Sequence, residues 1–208
     1  MAARGAGPGG DPGPHARGVR VRSRGARWRV GPRCVGRAGR LGAAGFCAIA
    51  VSFGPARAGY GLFLPQFRDE FGLSIQLSGL VASGLQAGYL VSLVAVGLLV
   101  ARVGARAPIL LGMLAAALGM GIVAGAPGTA WLAAGVVVAG TSAGWSWAPY
   151  NDAVGDEVPR PLQGRVLSVI STGTTFGVLI LGVTAFVVGA SWRTAWLAFA
   201  VTALVAGP

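Results

Sequence analysis

The sequence predicts an all-α membrane protein with about six transmembrane helices, arranged as a 3+3 inverted repeat. Of its 208 residues, 54% are hydrophobic and only 11% are charged, whereas a soluble domain carries about a quarter charged residues. Six apolar runs separated by short polar connections account for this composition. Because so few charged residues cannot cover the surface of a protein in water, we expect lipid to surround most of this one.

Residues 1–40 differ from the rest of the chain. They are rich in Gly, Pro and Arg, and they hold ten of the 17 basic residues, with Asp11 as their only acid. This composition cannot bury a core and predicts a disordered cytoplasmic tail. Because no aromatic platform or groove-reading motif accompanies the charge, we expect no nucleic-acid partner.

The apolar runs form one domain over 41–208. They cover 41–65, 77–100, 107–126, 128–149, 166–188 and 193–208. The first five are long enough to cross about 30 Å of hydrocarbon at about 1.5 Å per residue. The sixth is short and runs into Pro208, so we expect the domain to be truncated at its C-terminus.

Arginine placement predicts the orientation. Cytoplasmic loops carry the excess of basic residues. An N-terminus in the cytoplasm puts four loop arginines inside and two outside: Arg102, Arg106, Arg160 and Arg165, against Arg68 and Arg193. We therefore expect a multi-pass protein of the inner (cell) membrane, with its N-terminus in the cytoplasm. The use of 17 Arg and no Lys indicates a GC-rich, bacterial genome.

Glycines suggest the repeat and the helix contacts. Four glycines, Gly79, Gly88, Gly97 and Gly104, recur 85 residues later, and Pro65 and Pro149 are offset by 84. This superposes the first three spans on the last three with inverted topology. Glycines four apart let helix backbones approach closely, and they occur as Gly84/Gly88, Gly121/Gly125, Gly140/Gly144 and Gly173/Gly177.

Arg57 lies inside the first apolar run, and an ionisable side chain in a membrane span is a candidate functional residue. Pro55 and the nearby glycines predict an irregular helix at this point. Arg57 would bind an anionic group of a substrate or balance a carboxylate. Alternatively, its guanidinium reaches the outer membrane interface along its aliphatic stem.

Polar side chains on four of the runs predict a shared aqueous pathway. The candidates, besides Arg57, are Tyr60, Gln86, Tyr89, Trp145, Ser171 and Thr175. The alternative is that their polar groups hydrogen-bond between helices, which is common for small hydroxyls. Asp152, at the cytoplasmic end of the fourth run, is a candidate for coupling to a proton; a solvated loop carboxylate with local ion pairs is the simpler explanation.

Enzymatic and metal chemistry are not expected. Gly140–Gly144 matches the G-x-S-x-G pattern, but it lies in an apolar run, and the single histidine, His15, is in the tail. A serine nucleophile needs a strand–turn–helix context and a base. The sequence has no phosphate-binding loop and no metal-type spacing of cysteines, so we expect no cofactor and no metal.

The loop between the second and third runs reads Gly-Leu-Leu-Val-Ala-Arg-Val-Gly-Ala-Arg over 97–106. It resembles the signature loop of the major facilitator superfamily: Gly, three residues, Asp, Arg, one residue, Gly, and two basic residues. The matching residues are Gly97, Arg102, Gly104 and Arg106; Ala101 replaces the Asp, and Ala105 replaces a basic residue. The segment 60–65 and Trp192–Arg193 resemble the bacterial branch of cyanate-type and uncharacterised transporters.

The resemblance implies half of a major facilitator type fold, with the loop contributing to the cytoplasmic gate. It also implies secondary active transport of a small solute by alternating access, with a missing second six-helix half or a partner chain. The resemblance leaves the substrate and the coupling ion open; one arginine suggests an anionic substrate, and a proton is a candidate for coupling. The alternative is a six-span membrane scaffold or partner subunit with no pathway of its own.

Overall fold

The computed structural model describes residues 32–188 and 191–206, and within these ranges the chain is helical with no strand. The elements are α1 (Pro32–Phe53), a π-helical turn (Gly54–Ala58), α2 (Gly59–Leu62), α3 (Leu64–Phe71), α4 (Ile75–Val103), α5 (Arg106–Ala124), α6 (Thr129–Glu157), α7 (Arg160–Val188) and α8 (Trp192–Ala206). Since α1 to α3 follow one another with only Phe63 between helices, the described elements form six rods. The predicted all-α architecture is confirmed.

Four helical stretches are long and apolar enough to cross a membrane: Cys34–Leu62, Ile75–Val103, Arg106–Ala124 and Arg160–Val188. Helix α6 has 29 residues, but its Trp, Ser, Thr and Asn side chains and its terminal acids lower its hydropathy. Helix α8 is apolar but has only 15 residues. Many Leu, Val, Ile and Phe side chains of α4, α5 and α7 are exposed, as expected for a surface in lipid.

The first helix begins earlier than the composition predicts. Helix α1 starts at Pro32, so residues 32–40 are helical and do not belong to a disordered tail. Proline suits a first helical position because its φ is already near the helical value and its missing N–H would have no partner there. The remainder of the predicted tail, residues 1–31, lies outside the described residues.

Helix packing follows the symmetry of an inverted repeat. Helix α1 packs along α7, and α6 packs along α4. Exchanging the first three rods with the last three converts one of these pairs into the other. Helix α5, the third rod, packs against α6, the next rod along the chain, and against α8, its equivalent in the second repeat.

Two glycines at the predicted spacing of 85 residues make equivalent contacts. A Cβ on Gly88 would lie 3.2 Å from the carbonyl oxygen of Val137 and 3.3 Å from Cγ2 of Thr141. A Cβ on Gly173 would meet the carbonyl oxygen of Phe46 and lie 3.2 Å from the nitrogen of Ala50. Phe46 and Ala50 precede Val137 and Thr141 by 91 residues each, so the two contacts join equivalent positions of the two repeats.

Two predictions from small residues and prolines are wrong. Gly121 has no neighbour within 4 Å, and Gly125 contacts only the carbonyl of Gly121, so this pair joins no helices. On α5 the close approach occurs at Gly119, where a Cβ would lie 2.7 Å from Cα of Ala139. Pro65 and Pro149 are not equivalent either. Pro65 is in α3 and Pro149 is inside α6, and these two rods correspond at an offset of 91 residues, whereas the two prolines are 84 apart.

The two ends of the bundle differ in charge. The basic end comprises the start of α1 and the α4–α5 and α6–α7 connections, and it carries Arg37, Arg40, Arg102, Arg106, Arg160 and Arg165. At the opposite end a buried aromatic cluster packs α3 against α8; Phe67 lies 5.0 Å from Trp192 and 5.9 Å from Trp196, measured between ring centroids.

Arg193 ties three helices together at that opposite end. Its NH2 lies 2.6 Å from Oε1 of Glu70 on α3, and its guanidinium donates to the carbonyls of Ala124 and Ala126 at 2.9 Å each, at the end of α5 and just beyond it. Trp192 Nε1 donates to the same carboxylate over 2.7 Å. These bonds fix the ends of α3, α5 and α8 relative to one another.

Candidate functional site

Arg57 projects from the π-helical turn that interrupts the first rod. Pro55 stands near the start of this turn, where it cannot donate the hydrogen bond that would continue the α-helix. Single π-helical turns occur frequently at functional sites because they widen the helix and redirect side chains. The predicted irregularity at Arg57 is therefore present, in the form of five π-helical residues.

The guanidinium of Arg57 lies between two aromatic rings and donates to one amide. Its Cζ is 4.3 Å from the ring centroid of Tyr89 and 5.5 Å from that of Phe53. Its NH2 donates to Oε1 of Gln86 over 3.2 Å. We call Phe53, Arg57, Gln86 and Tyr89 the Arg57 cage. The cage joins the first rod to α4 and contains three of the residues that the sequence suggests.

A further aromatic side chain extends the cage towards α6. The ring of Trp147 meets that of Phe53 edge-on, with 6.1 Å between centroids. Phe53 and Trp147 are absent from the pathway residues proposed above. Phe53 precedes Arg57 by four residues, so helical spacing could have indicated their contact. The position of Trp147 depends on how α6 packs against α1, for which the sequence offers no such signal.

Buried hydroxyls bring α6 and α1 together next to the cage. Ser52 Oγ lies 3.3 Å from Ser146 Oγ, and Ser146 Oγ donates to the carbonyl of Ser142 over 2.9 Å. All three serine side chains are fully buried. A hydrogen bond between two buried helices holds their register, because separating them would leave polar groups unpaired.

The charge of Arg57 has no carboxylate partner among the described residues. The ion pairs in the described part of the chain are Arg37–Glu157 and Arg193–Glu70, so no carboxylate there neutralises Arg57. Its half-buried guanidinium retains N–H donors that Gln86 does not use. A cation in a membrane span whose charge is supported only by ring faces and one amide favours binding of an anion.

The other pathway residues suggested by the sequence do not join the cage. Tyr60 is buried in the aromatic cluster, and its hydroxyl donates to the carbonyl of Ser78 over 3.0 Å. Trp145 is half-buried; a Cβ added to Gly112 of α5 would lie 2.9 Å from its Cβ. Ser171 and Thr175 lie on the exposed face of α7, opposite the face that packs on α1.

The loop that carries the signature residues forms one wall of a cleft at the basic end. The cleft has a volume of about 540 Å³ and is lined by Ala101 and Gly104 from the loop and by Asp152 and Asp156 from α6. The carboxylates of α6 therefore stand across from the position where the family pattern has Asp and this chain has Ala101. Gly97, Arg102 and Arg106 are exposed.

Backbone geometry explains one glycine of this loop. Gly104 has φ 73° and ψ 179°, a combination that side chains other than glycine adopt at high cost. It ends α4 and lets the chain reverse into α5 within two residues. Gly97 lies in the interior of α4, where a Cβ would have no atom within 4 Å, so its surroundings place no such demand on the residue type.

The family model for the major facilitator superfamily matches residues 42–208. The chain belongs to the major facilitator superfamily. The match begins in α1 and includes every later rod, so the Arg57 cage and the signature loop both lie within it. No curated protein matches the chain.

Membership in the major facilitator superfamily establishes the class of function. The superfamily consists of membrane transporters, so this chain is an integral membrane protein of a transporter superfamily. No group of three or more His, Cys, Asp and Glu side chains that could hold a metal occurs in the described ranges. The match gives no support to the alternative of a membrane scaffold without a transport pathway.

Proposed function

We propose that this chain forms part of a secondary active transporter that moves a small solute by alternating access, and that the Arg57 cage binds an anionic group of that solute. The observation that carries the proposal is the guanidinium of Arg57, which is held between Tyr89 and Phe53 on a π-helical turn inside a membrane span and pairs with no carboxylate of the described residues. A neutral substrate would leave this charge without a function in the pathway.

The geometry of the cage favours a small, planar or compact anion. The rings of Tyr89 and Phe53 hold the guanidinium in place, and Gln86 Oε1 accepts one hydrogen bond from its NH2. The remaining donors of a fixed guanidinium match the two oxygens of a carboxylate. Because the cage is open rather than enclosed, the proposal requires additional contacts from a second six-helix half or a partner chain, which would complete the pathway.

Orientation and coupling extend the proposal. The six described arginines at the basic end, against Arg68 and Arg193 at the opposite end, support an N-terminus in the cytoplasm of a bacterial cell. Asp152 lines the cleft at the basic end and is exposed, which suits a group that exchanges protons with the cytoplasm. The in-membrane arginine and segment 60–65 support the cyanate-type branch of the superfamily.

The test is transport by the natural full-length protein reconstituted in proteoliposomes. A panel of small carboxylates, inorganic anions and neutral sugars is screened by counterflow. We expect an anion to be transported, and Arg57→Ala to abolish its transport while membrane insertion is unchanged. Arg160→Ala removes an exposed arginine outside the cage and should transport like the parent. Equal transport by Arg57→Ala would refute the role of Arg57.

Cysteine accessibility separates transport from a scaffold role. In a background lacking Cys34 and Cys47, which are both exposed, cysteines at Gln86 and Ser171 should react with a membrane-impermeant maleimide. A cysteine at Leu118, exposed on α5, should not react because lipid surrounds it. Protection at all three positions would favour a scaffold without an aqueous pathway.

A further inference from the structure

A groove runs between α1 and α7 at the basic end of the bundle. It has a volume of about 210 Å³, and its walls are almost entirely apolar: Val35, Gly39 and Gly42 from α1, and Val166 and Val169 from α7, with Arg165 at its edge. None of these residues belongs to the Arg57 cage or to the signature loop. We call this feature the α1–α7 groove.

The position of Arg165 places the groove at the boundary between lipid head groups and hydrocarbon. Arg165 is the last charged residue of α7, since none follows it from Val166 to Val188. On the apolar side, the groove continues into exposed side chains. Val169 is exposed, and about two turns further along, Phe176 packs against Phe46 with ring centroids 5.6 Å apart. The groove therefore opens sideways into the acyl-chain region.

The positive charge around the groove favours a lipid with an anionic head group. Arg165 takes no part in the ion pairs of the described residues, and the neighbouring pair Arg37–Glu157 is already neutral. Arg40 and Arg160 are also exposed at this end, so the surroundings of the groove are positive. Basic pockets between transmembrane helices bind the head groups of anionic lipids.

We infer that the α1–α7 groove binds an anionic phospholipid of the surrounding leaflet, with one acyl chain along the glycines of α1 and the phosphate on Arg165. Gly39 and Gly42 create the space, because a side chain at either position would project into the groove. A Cβ on Gly39 would have no atom within 4 Å, and one on Gly42 would lie 3.7 Å from Cγ1 of Val166. This site does not depend on the transport proposal, because it requires only that the bundle lie in a membrane.

The test measures lipid binding to the purified full chain by native mass spectrometry in detergent. The probes are dioleoyl phosphatidylglycerol and dioleoyl phosphatidylcholine, which share acyl chains and differ in charge. We expect tighter binding of phosphatidylglycerol, and we expect Arg165→Gln to weaken it about fivefold without changing phosphatidylcholine binding. Arg160→Gln removes an exposed arginine that does not line the groove, so it should weaken phosphatidylglycerol binding clearly less than Arg165→Gln does; an equal loss in the two variants would contradict a phosphate contact at Arg165.

A second pair of variants tests the groove itself. Gly39→Leu places its Cβ where no atom lies within 4 Å, so its side chain should occupy the groove and weaken the binding of both lipids. Gly36→Leu, on the same helix and with equally open surroundings, lies outside the groove and should weaken neither. The inference fails if Gly39→Leu binds phosphatidylglycerol like the parent, or if Arg165→Gln weakens both lipids equally. It also fails if glycerol 3-phosphate, which has no acyl chain, competes as well as the lipid does.

Discussion

Gly54 and Gly177 bring the backbone of the π-helical turn into direct contact with α7. A Cβ on Gly54 would lie 2.6 Å from both the carbonyl carbon and oxygen of Gly177. Since neither backbone can move aside as a flexible side chain would, this contact fixes the distance between the turn that carries Arg57 and its neighbouring helix. The position of the Arg57 cage thus depends on the absence of a side chain at both Gly54 and Gly177.

Substitution of these glycines should destabilise the bundle. We expect Gly54→Ala or Gly177→Ala to lower the thermal unfolding midpoint in detergent, with a cost of about 1–3 kcal/mol from overpacking. Gly61→Ala is the matched control, because a Cβ there has nothing within 4 Å. If Gly54→Ala unfolds at the same temperature as Gly61→Ala, the close contact contributes nothing to stability.

A carboxylate in place of Gln86 should compete with the substrate for Arg57. Gln86→Glu would pair with the guanidinium that now donates to the amide oxygen over 3.2 Å. Charge-assisted hydrogen bonds contribute about 1.5–3 kcal/mol, so the KM for an anionic substrate should rise roughly tenfold or more. Gln86→Leu leaves the NH2 donor of Arg57 free without adding a competing charge, so it should raise KM less than Gln86→Glu does.

The control for that experiment is Gln76→Glu, which adds the same charge at the exposed start of α4. It should leave KM unchanged in proteoliposomes. A larger effect of Gln86→Leu than of Gln86→Glu would show that Gln86 contacts the substrate directly and does not act through the charge of Arg57.

Acid should weaken the network at the opposite end. The hydrogen bond from Arg193 lowers the pKa of Glu70 below its usual value. A carboxyl with a lowered pKa in the folded state contributes stability above its unfolded pKa, and that contribution disappears as pH falls through the folded pKa. The unfolding midpoint of the parent should therefore fall below about pH 4.5, and that of Glu70→Gln should fall less.

Removal of Arg193 should cost more than removal of the Glu70 charge. The Glu70–Arg193 pair is about 40% exposed on both sides, and exposed pairs contribute about 0–1 kcal/mol. Arg193 also binds the carbonyls of Ala124 and Ala126, which Arg193→Ala would leave without these donors. Equal unfolding midpoints for Glu70→Gln and Arg193→Ala would contradict this order.

The two glycines of the signature loop should respond in opposite directions to alanine. Gly104→Ala forces a side chain into a glycine conformation and should cost about 1–3 kcal/mol. Gly97→Ala should be neutral or stabilise the interior of α4 by up to about 1 kcal/mol. Thermal unfolding in detergent measures both, and a stabilising Gly104→Ala would mean that the loop adopts a different backbone conformation.

Composition and spacing determined much of this protein. Apolar runs predicted the rods because lipid requires long uncharged helices, whatever their neighbours. Pro55 predicted an irregular helix at Arg57 because the missing N–H is a local property. The signature residues Gly97, Arg102, Gly104 and Arg106 indicated the superfamily to which the chain belongs.

The tertiary structure decided which polar residues meet. Arg57, Gln86 and Tyr89 come together because α6 packs against both the π-helical turn and α4, whereas Tyr60, three residues from Arg57, faces the aromatic cluster. Glycine pairs looked alike in the sequence, yet Gly173/Gly177 touches α1 and Gly121/Gly125 touches no other helix. A glycine permits close approach but does not select a partner; the partner is set by which faces of six helices can pack at once.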